Sequence, residues 1–256
     1  TDVLIMGGGL AGLSLAIQLR QRDPGIKVAV IERRSHPVRE AAFKVGESTV
    51  EIGAHYFAKT LGFEAHLEAE QIRKFGFRFF FSEGQHDVPA CTEVGVSRLL
   101  PTPSWQLDRG RFENFLGQQA RALGVEFIDN AVVRGIELGK DDALHLVRYQ
   151  CGDDEQMRQT RWLVDASGRA GLIKRKLDLA QPNAHDVNAV WWRVDGHIDP
   201  NQWGTDPQWL ARCTPPDRWR STNHMCGPGY WFWLIPLSSG AHSLGIVCDA
   251  AMHPLE

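Results

Sequence analysis

The segment Gly7-Gly8-Gly9-Leu10-Ala11-Gly12 sets glycines in G-x-G-x-x-G order, and Glu32 stands twenty residues beyond the last of them. The chemistry this spacing serves is the binding of a pyrophosphate. Gly7 permits a tight turn. Gly9 lets backbone amides, those of Leu10 and Ala11 among them, approach phosphate oxygens at a helix N-terminus, where partial positive charge collects. Gly12 lets the helix pack closely on a strand. Glu32 offers a carboxylate to a ribose diol and disfavours a 2′-phosphate, so the spacing favours FAD or NAD over NADP. A tight turn without a ligand explains the glycines but not Glu32.

Two further groups carry chemical potential. Lys74 precedes an aromatic run, Phe75-Gly76-Phe77-Arg78-Phe79. An ammonium donates to an oxyanion, and a desolvated amine is itself a nucleophile. From spacing alone Lys74 reads as a solvated lysine at a strand start. The run Trp231-Phe232-Trp233-Leu234-Ile235-Pro236 places Trp231, Trp233 and Ile235 on one strand face. Taken alone, that is a core pattern. Pro236 has no N–H for a ladder, so the strand must end or bulge there.

The elements that position these residues follow from periodicity. Asp2–Met6 and Lys27–Glu32 read as buried strands, with a helix between them that stops at Asp23-Pro24-Gly25. A helix is predicted over Val50–Leu61, capped by Ser48 or Thr49. In a strand over Phe75–Phe81, Lys74, Gly76, Arg78 and Phe80 share one face, and Phe75, Phe77, Phe79 and Phe81 the other. Trp105-Gln106-Leu107-Asp108-Arg109 is expected to open a helix running to Leu123. Val125–Ile128, Val132–Leu138, Leu144–Tyr149 and Arg158–Val164 read as strands, the last three joined as a meander. Asn188–Val194, Trp231–Leu237 and His242–Asp249 read as antiparallel strands.

In this order the motifs resemble those of flavin-dependent halogenases, within the aromatic hydroxylase-like FAD flavoproteins. Ala42-Phe43-Lys44-Val45-Gly46-Glu47-Ser48-Thr49 resembles the family's G-E-[AS]-T element. Leu163-Val164-Asp165-Ala166-Ser167-Gly168-Arg169 resembles its D-[AG]-x-G element, and Trp231–Pro236 matches W-x-W-x-I-P at every fixed position. The resemblance implies FAD, used as FADH2, with halide as co-substrate. It places Gly46, Glu47 and Ser48 beside the flavin ring, Lys44 at the flavin or a phosphate, and Gln106 and Arg109 on the cofactor. Asp165 and Gly168 fall under the pyrophosphate and ribityl region. Lys74 is implied to present hypohalous acid, or a chloramine made from it, to the substrate, in a context closer to phenol- and pyrrole-type members. Trp231, Trp233, Ile235 and Pro236 are implied to separate flavin from substrate. The implied activity is halogenation of an electron-rich aromatic. An aromatic monooxygenase or reductase of the same fold, and a degenerate flavoprotein acting as a binding module, are the alternatives.

The implied fold class is α/β: a Rossmann-like FAD-binding domain with a small inserted β-meander, and an antiparallel substrate-side sheet. The first domain is expected over 1–180, with 124–164 as the insertion and return strand, and the second over 181–256. The family's further flavin loop and helical C-terminal region are not found in the sequence, so a missing remainder is expected. A net charge of −3 gives no footprint for nucleic acid. The cysteines are widely spaced without C-x-x-C, and His55, His224 and His242 lack ligand spacing, so no metal site is expected. No apolar run approaches the ~20 residues of a membrane helix, and no signal peptide is visible. A cytoplasmic enzyme is expected, with a separate flavin reductase as partner and a small aromatic or carrier-tethered substrate.

Overall fold

The computed structural model describes residues 1–39 and 44–254. Ala42 and Phe43 of the motif quoted above lie outside them. In chain order the strands are β1 (Val3–Met6), β2 (Val28–Ile31), β3 (Ile72–Arg73), β4 (Phe77–Phe81), β5 (Thr92–Gly95), β6 (Trp105–Gln106), β7 (Glu126–Ile128), β8 (Ala131–Glu137), β9 (His145–Cys151), β10 (Asp154–Thr160), β11 (Trp162–Asp165), β12 (Val187–Asp195), β13 (Thr222–Gly227), β14 (Tyr230–Pro236) and β15 (Ala241–Asp249). The helices are α1 (Leu10–Arg22), α2 (Glu51–His55), α3 (Glu64–Glu70), α4 (Arg109–Ala122), α5 (Leu172–Lys176) and α6 (Pro207–Ala211). The class is α/β, as expected.

The chain forms two compact units, Thr1–Ala42 with Gly110–Pro182, and Phe43–Arg109 with Asn183–Glu256. A single boundary at 180 misses the excursion over 43–109. That excursion joins the second unit because β4 pairs in parallel with β13, residues far beyond it in sequence.

The first unit is built on a parallel sheet in the order β11-β1-β2-β7. β1 and β2 are fully buried four-residue strands, which is why they read as continuous apolar runs rather than alternating ones. α1 turns Gly12, Leu13, Ser14, Ala16 and Ile17 inward. β8, β9 and β10 form the antiparallel meander. The expected strand over Arg158–Val164 is two strands: β10 closes the meander, and β11 returns to the parallel sheet beside β1. Leu4, Met6, Ala29, Ile31, Ala131, Val147 and Tyr149 make one core.

The second unit is a six-stranded sheet in the order β12-β15-β14-β13-β4-β5, antiparallel except at β13·β4. β14 ends at Pro236, as its missing N–H requires. On one side of β4, Arg78 and a wholly buried Arg218 converge on Glu93, with Arg218 Nε 2.8 Å from the Glu93 carboxylate. Burial raises the Glu93 pKa, but these two guanidiniums outweigh it and hold the carboxyl below its usual range. This network ties the edge strand β5 to β4 and to the 218–220 turn on the back of the sheet. Its front face carries the candidate chemistry.

Two elements differ from expectation near the site. The helix over 51–60 is one α-turn (α2) followed by a π-helical turn, Tyr56–Thr60. Neither Ser48 nor Thr49 caps it. Val50 is the N-cap, without a side-chain hydrogen bond. Trp105 and Gln106 form a strand rather than a helix start, pairing with β3.

Candidate active site

In the first unit the glycine turn is shaped by contacts no side chain would tolerate. Gly7 has φ +116, and a Cβ there would stand 2.2 Å from the Ala166 carbonyl oxygen. A Cβ on Gly12 would stand 1.9 Å from the Gly7 oxygen. Gly8, at the variable position of the motif, is constrained too, since its Cβ would meet the Phe127 ring at 2.7 Å. Gly9 differs: nothing lies within 4 Å of where its Cβ would be. It is the N-cap of α1 and offers no side chain to the first-turn amides. A helix of thirteen residues therefore presents uncapped N–H groups, Leu10 and Ala11 first, to open space. Glu32 accepts from Gly8 N at 2.7 Å and from Arg34 N at 2.9 Å. Oε2 thus holds the glycine turn, and Oε1 the chain leaving β2.

Asp165, at the end of β11, accepts from Ser167 N at 3.1 Å and from Ile173 N at 2.8 Å. Burial pushes its carboxyl up, but the bonds from Ser167 and from the backbone at the start of α5 outweigh that and hold it low. The carboxylate organises the turn through Gly168, at φ +62, rather than standing free.

In the second unit, residues 44–49 lie on the front of the six-stranded sheet. Gly46 has φ +90, and Arg109 Nη1 donates to Val45 O at 2.9 Å and Gly46 O at 3.2 Å. Lys44 is half-buried at the entry to this turn. Ser48 Oγ lies 2.7 Å from Thr222 Oγ1, and Gln106 Nε2 donates to that same hydroxyl at 2.9 Å. Gln106 is fully buried, and its amide reaches Ser48 through the shared Thr222 hydroxyl. Thr49 Oγ1 donates to Trp105 O and accepts from Trp105 N, both at 2.8 Å. These bonds explain why neither hydroxyl is left to cap a helix.

Glu47 is 1% exposed, and Arg193 of β12 donates to it at 3.1 Å. Asp108, also buried, lies 3.9 Å from the other Arg193 nitrogen. Burial pushes the Glu47 carboxyl up against the lowering pull of Ser243 and Arg193. One arginine thus serves two buried carboxylates. Sequence reasoning missed Arg193, Asp108 and Thr222, because each lies far from the motif it supports.

Lys74 is 3% exposed. Its Nζ donates to Thr49 O at 2.9 Å and sits 3.4 Å from the centre of the Phe77 ring. Gly76, at φ +69, breaks the alternation that was expected to run through it. Lys74 consequently reaches the Phe77 side, not the Arg78 and Phe80 side. Burial lowers its pKa to about 8, with Glu51 pulling the other way. Cross-strand register puts His224 and Cys226 of β13 on this same front face, opposite Trp233 and Trp231. Trp233 lies across Gly245, where a Cβ would stand 2.2 Å from its ring, and its Nε1 donates to Ser243 at 3.3 Å. Trp231 is 37% exposed and lines a cavity, while Ile235 and Pro236 are buried. Among the described residues no three His, Cys, Asp or Glu side chains gather as a metal site.

A family model described as an FAD binding domain matches residues 1–238. The chain belongs to the FAD binding domain family. The open space before Gly9 and the uncapped first turn of α1 fit the pyrophosphate of that cofactor. Among relatives of this FAD binding domain chain, the flavin-dependent halogenase chlA of Dictyostelium discoideum is 30% identical over 276 residues, covering 96% of this chain and 44% of the relative. The 1H-pyrrole-2-carbonyl-[peptidyl-carrier protein] brominase of Pseudoalteromonas luteoviolacea is 28% identical, covering 100% and 56%. The chain spans about half the length of the curated relatives it matches. In fold it is similar to halogenase PltM in complex with phloroglucinol and FAD, with a TM-score of 0.81 at 20% identity, over 100% of this chain and 53% of that one. No helix among the described residues is long and apolar enough to cross a membrane.

Proposed function

We propose that this protein acts as a FAD-dependent halogenase of an electron-rich aromatic substrate. The observation that carries this reading is Lys74: a buried amine with a lowered pKa, held between a carbonyl and an aromatic ring at one end of the stacked Phe77, Phe79 and Phe81. Solvated lysines are not built this way.

Gly7, Gly9, Leu10, Ala11, Gly12 and Glu32 are assigned to the ADP half of the cofactor, with Asp165 and Gly168 shaping the turn beside them. Lys44, Gly46 and Ser48 are assigned to the flavin side, with Glu47, Gln106 and Arg109 holding that segment in shape. When bound, the reduced cofactor with dioxygen supplies the two-electron oxidation of halide to hypohalous acid. The protonated Lys74 donates a hydrogen bond to the oxygen of that acid and orients its halogen. In the neutral form, the amine attacks the halogen: an N–halogen bond forms, the O–halogen bond breaks, and the amine proton leaves with hydroxide as water. Trp231 and Trp233 give the sheet a rigid apolar front that excludes water from the acid. The reduced cofactor comes from a separate flavin reductase. Phenols, pyrroles and carrier-tethered rings are the substrate class, and the free thiols fit a cytoplasmic setting.

The test supplies FAD, a flavin reductase, NADH and chloride or bromide with a reactive phenol. Wild type is expected to give halogenated product, and Lys74→Ala none, with NADH oxidation and FAD binding intact. Hydroxylated product that ignores halide would move the protein to the monooxygenases.

A further inference from the structure

We propose that the cavity walled by Phe77, Phe79, Phe81 and Trp231 takes the ring of a phenol, and that His224 Nε2 accepts the hydrogen of its hydroxyl group. The role in catalysis rests on the halogenase reading above.

The cavity measures about 690 Å³ and lies entirely on the front of the six-stranded sheet. A volume in the range of roughly 300–1,000 Å³ suits a small-molecule ligand. Its floor is a stacked aromatic ladder: Phe77 on Phe79 at 6.2 Å, Phe79 on Phe81 at 6.4 Å, and His224 on Phe79 at 4.9 Å and 15°. Such surfaces accept a flat ring by offset stacking. In an apolar slot of this kind, the few polar atoms set orientation.

His224 supplies one. Burial lowers its pKa, and the nearby Lys74 charge lowers it further, so the imidazole is neutral and carries one lone pair free to accept. The backbone of Thr222 and Arg78 favours a proton on the ring. Nδ1 is the nitrogen sealed from solvent. That leaves Nε2 as the acceptor open to the cavity. Asp249, at the rim, spends one carboxylate oxygen, Oδ1, on the amides of Ala251 and Met252, each at 2.9 Å. Lys74 Nζ and the His224 ring both lie against Phe77, so the acceptor and the halogen-handling amine flank the same ring.

The step balances. As a ring carbon ortho to the hydroxyl attacks the halogen of hypohalous acid, the C–halogen bond forms and the halogen–oxygen bond breaks. The hydroxyl proton passes to Nε2, and the departing hydroxide takes it up as water. The ring carbon then loses its own proton as the hydroxyl is restored and aromaticity returns.

The experiment compares binding of 4-chlorophenol and 4-chloroanisole, which differ in the hydroxyl hydrogen, to the flavin-free protein. Wild type should prefer the phenol by roughly three- to tenfold, the size of one net hydrogen bond. His224→Phe should lose that preference while binding the anisole as before. His224→Gln, which restores an acceptor, should recover part of it. Equal binding of both ligands by wild type, failure of either to bind, or a preference that survives in His224→Phe would overturn the proposal. None of these readouts needs halide or reduced flavin, so a failed halogenation assay is a separate result.

Discussion

Burial gives the Lys74 ammonium the Thr49 carbonyl and the face of Phe77 in exchange for water, and its pKa falls from 10.5 to about 8. The sign of the linkage follows. Below pH 8 folded and unfolded chains both hold the proton, and the full penalty of burying charge is present. Between pH 8 and 10.5 the unfolded chain binds more protons, so stability rises with pH across that window. The amplitude is at most roughly 3 kcal/mol. Urea unfolding of wild type and Lys74→Met at the two ends of the window should show the rise in wild type only, and parallel pH slopes would refute the burial argument. Lys74 was visible in the sequence as a candidate, but its environment was not. Nothing near it in the chain announces Thr49 as its acceptor. Arg193 was invisible for the same reason: its value lies in meeting Glu47 and Asp108, and an arginine in a strand carries no signal of what it faces.

At the scale of elements, periodicity worked where a strand or helix is regular. β1, α1, β2 and the meander were legible because their patterns depend on local geometry. It failed at Gly76, whose positive φ ends the alternation and turns Lys74 to the Phe77 side. It failed again at Ser48 and Thr49, whose hydroxyls are spent on Thr222 and Trp105 instead of a helix terminus. A Cβ on Gly76 would stand 2.9 Å from Val96, in a backbone conformation that side chains rarely adopt. Gly76→Ala is therefore expected to cost on the order of 1–3 kcal/mol. It should also withdraw the amine from Phe77, which a changed Lys74 titration would reveal. An unchanged titration with unchanged stability would show that Gly76 is incidental.

For the whole molecule, the chain passes between its two units three times, so neither unit is one continuous stretch. The boundary read at 180 leaves β4 and β5 without β13, the strand that joins them to the rest of their sheet. A fragment of residues 1–180 should therefore unfold in urea with a broader, less cooperative transition than the whole chain. A sharp transition with an m-value in proportion to its length would contradict this. Sequence order hid the arrangement, because parallel pairing of β4 with β13 joins segments 145 residues apart. The same separation has a consequence in time. Gly7 turns against the Ala166 backbone, and β1 lies beside β11, so the nucleotide turn has no closing wall until residue 166 has been made. At the usual pace of a ribosome, roughly 5–20 residues per second, the first strand waits about ten to thirty seconds for that partner. During translation the glycine turn is thus made well before the wall that closes it.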